Sequence, residues 1–178
     1  MPALLSRYIA LVHWRAMQHC MTGKAEGLID GVEVKELKVH CDERGGLFEV
    51  LRSDEALFAR FGQAYVTTCY AGVVKAWHMH KQQTDNLCVI RGSAKLVLFD
   101  ARESSSTKDE INEFFPCDER RLLVQIPTGV YHGFKNVGAD ELLVLNIPTQ
   151  VYNSDQPDEY RLDPHSNDIP YDWSRRDG

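Results

Sequence analysis

The sequence has few of the features that mark membrane proteins, nucleic-acid-binding proteins or disulfide-bonded domains. It contains no apolar run near the roughly 18 to 20 residues that a membrane-spanning helix needs. Basic residues number 20 against 26 acidic ones, for a formal net charge of −6, whereas nucleic-acid binding requires a basic surface. The five cysteines include no CxxC pair, so no redox motif or zinc knuckle is expected. We therefore expect a cytoplasmic protein with neither a nucleic-acid nor a membrane partner.

The first 28 residues differ in pattern from the rest of the chain. Arg7, His13, Arg15 and His19 interrupt an apolar stretch, which argues against a signal peptide, whose apolar core runs for about 7 to 15 residues. A chain of 178 residues is long enough for one hydrophobic core and short for two. We predict an N-terminal extension at 1–28 and a single domain at 29–178.

From about residue 30 onward, short apolar runs with a period of two recur between Gly, Asp, Asn and Pro. This pattern is typical of antiparallel strands joined by turns. We predict an all-β jelly-roll barrel of about nine or ten antiparallel strands. One short helix is expected at Asp54–Phe61, where Asp54 can cap the first turn. Ile169, Tyr171 and Trp173 are expected to hold the C-terminal segment across the barrel.

A pair of histidines separated by one residue gives the strongest chemical signal. His78 and His80 fall on one side of a predicted strand, because side chains two residues apart point the same way. Asp85 follows after a turn, and the segment IPTGVYHGFKN carries His132. In order and spacing these residues resemble the two signatures of the cupin superfamily, with Asp85 where Glu is usual. The matching positions are Gly72, His78, His80, Asp85 and Gly92, then Pro127, Gly129, His132 and Asn136.

Three imidazoles and one carboxylate can perform two different kinds of chemistry. His78, His80, Asp85 and His132 together could hold a divalent ion such as Fe, Mn, Ni, Co or Zn. The same histidines could instead move protons near neutral pH. The spacing does not decide between these functions. A metal-dependent cupin of other chemistry, such as a dioxygenase, and a non-catalytic sugar-binding cupin are therefore open alternatives.

Four further segments point to one family. DERGGLFE at 42–49, GSAKLVLFDAR at 92–102, IPTGVYHGF at 126–134 and LDPHSNDIPYDW at 162–173 resemble, in that order, segments of the dTDP-4-dehydrorhamnose 3,5-epimerase family. HMHK at 78–81 is similar to the HAHK of the dTDP-sugar 3,4-ketoisomerases. The resemblance implies a homodimer that epimerises or isomerises a nucleotide-diphosphate 4-keto-6-deoxy sugar by removing a proton next to the ketone. It also implies that the reaction requires no cofactor.

The resemblance also implies roles for individual residues. His78 stands at the position of the family's base, and His132 matches its second active-site histidine, with His80 beside them. The substrate-binding positions that it implies are Arg44, Lys75, Glu49 and Asn146, and Arg44 corresponds to an arginine that reaches phosphate across the dimer. Asn146 stands where the family has a catalytic tyrosine. Tyr152 is the substitute general acid expected from the sequence.

Overall fold

The structure, a computed structural model, describes residues 27–177 and contains twelve β-strands. The predicted extension at 1–28 lies almost wholly outside the described residues. In chain order the strands are β1 (Glu33–Glu36), β2 (Val39–Asp42), β3 (Gly45–Phe48), β4 (Tyr65–Cys69), β5 (Val74–Met79), β6 (Asp85–Arg91), β7 (Ala94–Asp100), β8 (Ile111–Phe114), β9 (Leu122–Ile126), β10 (Val130–Asn136), β11 (Leu142–Asn146) and β12 (Tyr160–Arg161).

Ten of these strands form two antiparallel five-stranded sheets that pack face to face. The first sheet has the order β1-β9-β6-β11-β4, and the second has the order β12-β5-β10-β7-β8. Strands β2 and β3 form a separate hairpin. This arrangement confirms the predicted jelly roll, with twelve strands where about nine or ten were expected. No helix long and apolar enough to span a membrane occurs between residues 27 and 177.

The predicted short helix at Asp54–Phe61 is wrong, because the segment forms only turns. In a helix, the Leu57 carbonyl would accept a hydrogen bond from the backbone four residues later. Here it accepts one from the side chain of Gln125 at 2.7 Å instead. Leu57 packs against the buried cluster around Leu123 on the outer face of the first sheet. Tertiary contacts therefore replace the local hydrogen bonds that the capping pattern predicted.

Strand β7 is buried on both faces and links two apolar clusters. Leu96 and Leu98 belong to the core between the sheets, whereas Val97 and Phe99 lie in a cluster on the outer face of the second sheet. This division follows from the alternation of side chains along a strand. The second sheet is therefore anchored from both sides.

The C-terminal segment covers that outer face, as the sequence predicted. Trp173 is buried with its ring centroid 5.1 Å from that of Trp77, and Tyr171 lies 5.9 Å from Trp77. Ile169 completes the cluster. Lys95, on β7, donates hydrogen bonds to the carbonyls of Trp173 and Ser174. Trp77 faces outward into this cluster, and the next residue, His78, faces the interior of the barrel.

The pairing of strands β5 and β10 brings His78 and His132 together. His78 on β5 pairs directly with His132 on β10, and the register shifts between His132 and Phe134. Gly133 lies in this irregular section, where a Cβ atom would come within 2.7 Å of the Ala76 Cα. The close approach of these two strands therefore requires glycine at this position.

We expect Gly133→Ala to destabilise the protein by about 1 to 3 kcal/mol, because the added methyl group must push β10 away from β5. Urea denaturation measures the effect. Gly138→Ala is the matched control, since its Cβ would meet nothing closer than 3.5 Å, and its free energy of unfolding should change by less than about 0.5 kcal/mol. Equal denaturation midpoints for the two variants would contradict the close approach.

Candidate active site

A cavity of about 910 Å³ opens between the two sheets. Most of the residues singled out from the sequence border it. The predicted residues among its lining are Lys75, His78, His80, Asp85, His132, Asn146 and Tyr152. Both sheets contribute to the walls, since β5 and β10 belong to the second sheet and β6 and β11 to the first. The cavity is therefore the candidate active site.

Asp85 lies at the centre of the polar wall. Its carboxylate oxygen Oδ2 is 3.3 Å from His80 Nε2 and 3.2 Å from His132 Nε2. The other oxygen, Oδ1, accepts hydrogen bonds from Gln83 at 2.9 Å and from Asn146 at 2.8 Å. Asp85 is almost fully buried, and burial alone would raise its pKa. The hydrogen bond from His132 and the charges of His132 and His80 outweigh burial, so the pKa of Asp85 lies below its ordinary value.

The other ring nitrogens of His80 and His132 also face oxygen acceptors. His132 Nδ1 lies 3.3 Å from the Val130 carbonyl. His80 Nδ1 hydrogen-bonds to the carbonyl of Asp158, whose carboxylate accepts backbone N–H groups from the turn after His80. Each ring is thus held between a backbone carbonyl and the Asp85 carboxylate. We refer to His80, Asp85 and His132 as the acid–histidine cluster.

One ligand atom from each residue of the acid–histidine cluster lies within 4.8 Å of the others. Neutral imidazole and carboxylate are ligands that first-row divalent metals accept, and metal-bound histidines commonly hydrogen-bond through their second nitrogen. The cluster therefore has the donor set of a metal site. His78 lies outside this group, so the four-residue set predicted from the sequence is reduced to three.

His78 has a different environment from the other two histidines. Its ring centroid is 6.2 Å from that of His132, and neither ring nitrogen hydrogen-bonds to another residue within 27–177. Burial, and to a smaller extent the nearby His132, lower the pKa of His78 to about 4, although Glu159 acts in the opposite direction. The imidazole is therefore neutral at pH 7. A neutral ring with a free nitrogen lone pair is suited to accept a proton.

Asn146 connects the acid–histidine cluster to the edge of the first sheet. Its Nδ2 donates to Asp85 and, at 2.9 Å, to the hydroxyl of Tyr65. Its Oδ1 accepts the backbone N–H of Asn86. On the other side of the cavity, Lys75 donates to Thr67 at 3.2 Å, which links β5 to β4.

Sequence reasoning did not find Tyr65 or Glu159 as site residues. Tyr65 reaches the cavity because β4 pairs with β11, a contact between segments about eighty residues apart that has no local signal. Glu159 lies just before β12 and forms an ion pair with Arg161 at 2.8 Å. The acidic and basic residues around Tyr160 were the available signal, but they do not differ from those of an ordinary polar loop.

Two of the predicted substrate-binding residues lie away from the cavity of their own chain. Arg44 is exposed at the end of the β2–β3 hairpin and pairs with Asp42. Glu49 is exposed and pairs with Arg52 at 2.8 Å. Tyr152 does border the cavity, and 57% of its surface is exposed. The structure of one chain thus brings together only part of the predicted set.

Comparison with known proteins identifies the family. A model described as the polysaccharide biosynthesis C-terminal domain matches residues 40–160. The chain is 41% identical over 147 residues to the spore coat polysaccharide biosynthesis protein SpsL of Bacillus subtilis, covering 83% of this chain and 97% of that protein. It is 37% identical over 148 residues to the probable low-salt glycan biosynthesis epimerase Agl13 of Haloferax volcanii, covering 82% of this chain and 95% of that protein.

Among solved structures, the dTDP sugar isomerase from Desulfovibrio desulfuricans superimposes with a TM-score of 0.77 at 29% identity, covering 84% of this chain and 94% of that one. The resemblance predicted from the histidine motifs and the DERGG segment is confirmed. The chain belongs to the polysaccharide biosynthesis C-terminal domain family and shares its fold with the dTDP-sugar isomerases and epimerases.

Proposed function

We propose that the protein is an epimerase of a nucleotide-diphosphate 4-keto-6-deoxy sugar in polysaccharide biosynthesis, with His78 as the base. The observation that carries this proposal is a neutral histidine without a protein hydrogen bond, placed beside a buried acid–histidine cluster in a cavity between two sheets. The relatives named as glycan biosynthesis proteins, and the dTDP sugar isomerase, support epimerisation over the dioxygenase alternative. The cytoplasmic location expected from the sequence stays a prediction.

The chemistry follows from the ketone of such a sugar. A carbonyl acidifies the C–H bonds on the carbons beside it, so one positioned base can remove a proton. His78 accepts that proton, and the electron pair of the C–H bond moves to form an enolate. Negative charge then develops on the former ketone oxygen, and a fixed positive group nearby stabilises it. We assign this role to the rings of the acid–histidine cluster, which line the same cavity as His78.

The diphosphate requires cations elsewhere in the cavity. Within residues 27–177, the Lys and Arg side chains that line it are Lys75 and Arg161. Lys75 is held by Thr67, and we assign it to the phosphates because a lysine acts on phosphate as a point charge. Arg161 is paired with Glu159 and would be a second cation at the rim.

We also propose that the protein works as a homodimer. Arg44 and Glu49 lie on or beside an exposed hairpin outside the cavity of their own chain, so they can reach a bound substrate only if the hairpin of one subunit approaches the cavity of another. A two-fold interface is the commonest solution for such an arrangement. Light scattering should therefore give twice the mass of one chain at micromolar concentration, and a monomer would remove Arg44 and Glu49 from the site.

In deuterated water, the protein should place deuterium on a carbon beside the ketone of a dTDP-4-keto-6-deoxy sugar, because the proton on His78 exchanges with solvent before it returns. His78→Ala should slow this exchange by roughly 10²- to 10⁴-fold, the usual effect of removing a positioned base. Proton NMR measures it directly. His165→Ala is the control, since His165 is exposed and does not border the cavity. Undiminished exchange in His78→Ala would show that another group is the base.

A bound divalent ion is the second candidate, supported by the spacing of ligand atoms in the acid–histidine cluster. His80, Asp85 and His132 would hold the ion, which would act as a Lewis acid toward the enolate oxygen. His78 keeps its role in either case. Under the first proposal, exchange survives exhaustive chelation. Loss on chelation with recovery on adding Zn²⁺, Mn²⁺ or Fe²⁺ would establish the second, and no exchange by the folded protein with any nucleotide sugar would favour a binding role.

The acid limb of the pH profile tests the environment of His78. A base acts only in its unprotonated form, and burial lowers the pKa of His78 to about 4. Because kcat/KM reports groups on the free enzyme, it should stay constant from about pH 7 down to about pH 5. It should then fall as the pH decreases through 4 and the ring becomes protonated. Circular dichroism verifies that the protein stays folded. A break near pH 6.5, the value of a solvated imidazole, would contradict the buried environment.

A further inference from the structure

An epimerase needs a second proton-transfer group, which the base does not supply. Inversion requires that a proton leave one face of the carbon and that another arrive at the opposite face. His78 lies on β5 of the second sheet. The proton donor must therefore come from the other side of the bound sugar, and the facing wall of the cavity belongs to the first sheet.

Tyr65 is placed on that wall. It is the first residue of β4, the edge strand of the first sheet, and it pairs in register with Asn146 on β11. Its side chain lines the same cavity as His78. Of its surface, 43% is exposed, so the ring is partly buried and yet accessible to a ligand. Tyr65 and His78 thus border the cavity from the two facing sheets.

Asn146 fixes the direction of the Tyr65 hydroxyl. The three hydrogen bonds of its amide, to Asp85, Tyr65 and the Asn86 backbone, define the orientation of that amide. A flipped amide would direct its carbonyl oxygen at the Asp85 carboxylate. Because the Tyr65 oxygen accepts the Asn146 N–H, its own O–H is left to donate. No residue within 27–177 accepts that proton, so it remains for a group bound in the cavity.

We propose that Tyr65 is the general acid of the reaction, a role that rests on the epimerase function proposed above. His78 takes the proton from one face of the carbon beside the ketone, and the C–H electron pair forms the enolate. The Tyr65 O–H bond then breaks, its proton bonds to the opposite face of that carbon, and the ketone re-forms. The phenolate gains a proton from water, and the imidazolium returns its proton to water. Asn146 is the positioning residue that holds the hydroxyl in place.

The environment of Tyr65 suits a proton donor. Burial raises its pKa above the ordinary value, the Asn146 hydrogen bond partly offsets burial, and the carboxylates of Asp85 and Glu159 raise the pKa further. The phenol therefore carries its proton at neutral pH. On the strand next to β11, Tyr65 brings this hydroxyl to within 2.9 Å of the Asn146 amide.

Tyr65→Phe separates the two halves of the reaction. In deuterated water with a dTDP-4-keto-6-deoxy sugar, the variant should form inverted product roughly 10²- to 10⁴-fold more slowly than the unmodified protein. It should still exchange the substrate proton for deuterium with retention of configuration, because His78 removes and returns it from the same face. Retained exchange also shows that the variant is folded and binds substrate. Tyr70→Phe, at an exposed tyrosine just after β4, should leave both rates unchanged.

Three results would overturn the assignment of Tyr65. Inversion by Tyr65→Phe at the unmodified rate would exclude it as the acid. Equal loss of exchange and inversion would give Tyr65 a structural role instead. Loss of inversion in Tyr152→Phe but not in Tyr65→Phe would assign the acid to Tyr152, as the sequence suggested. Absence of exchange in the unmodified protein is a different outcome, which overturns the epimerase function and the Tyr65 role with it.

Discussion

The buried carboxylate of Asp85 is the interaction on which the candidate site depends. It lies at the start of β6 and accepts contacts from the turn before it, from β10 on the opposite sheet and from β11 beside it. A charge in this position is tolerated only because four donors surround it. Loss of one partner from a buried ion pair typically costs about 3 to 5 kcal/mol. The carboxylate thus holds the two sheets in one arrangement across the cavity while it orients His80, His132 and Asn146.

The same constraint separates two kinds of histidine. Both ring nitrogens of His80 and of His132 lie near oxygen atoms. His78, in contrast, has no hydrogen-bonding partner among the described residues, and its ring is neutral because it is buried. Asn146 extends the network from Asp85 to Tyr65 on the edge strand. The hydroxyl of Tyr65 on the first sheet is therefore joined by one chain of polar contacts to the acid–histidine cluster, which lies beside His78. The outer clusters, including Trp77 and Trp173, keep β5 in place behind the base.

The sequence predicted those parts of the molecule that have local signals. Period-two alternation between turn residues predicts the antiparallel strands, and the spacing of His78, His80 and Asp85 around one turn brings them to one cavity. The helix at Asp54–Phe61 failed because the Leu57 carbonyl bonds to Gln125, a residue far along the chain. Tyr65 could not be found for a similar reason, since its role depends on the pairing of β4 with β11.

The central claim is that a nucleotide sugar lies between His78 and Tyr65, and a crystal structure of the complex tests it most directly. A dTDP-6-deoxy sugar with a hydroxyl in place of the ketone at C4 would bind without reacting. The account predicts a carbon beside C4 within about 3.5 Å of a His78 ring nitrogen, the separation of a reactive geometry, with the Tyr65 hydroxyl on the opposite face of the sugar. A sugar ring that contacts neither residue, or that presents the same face to both, would contradict it.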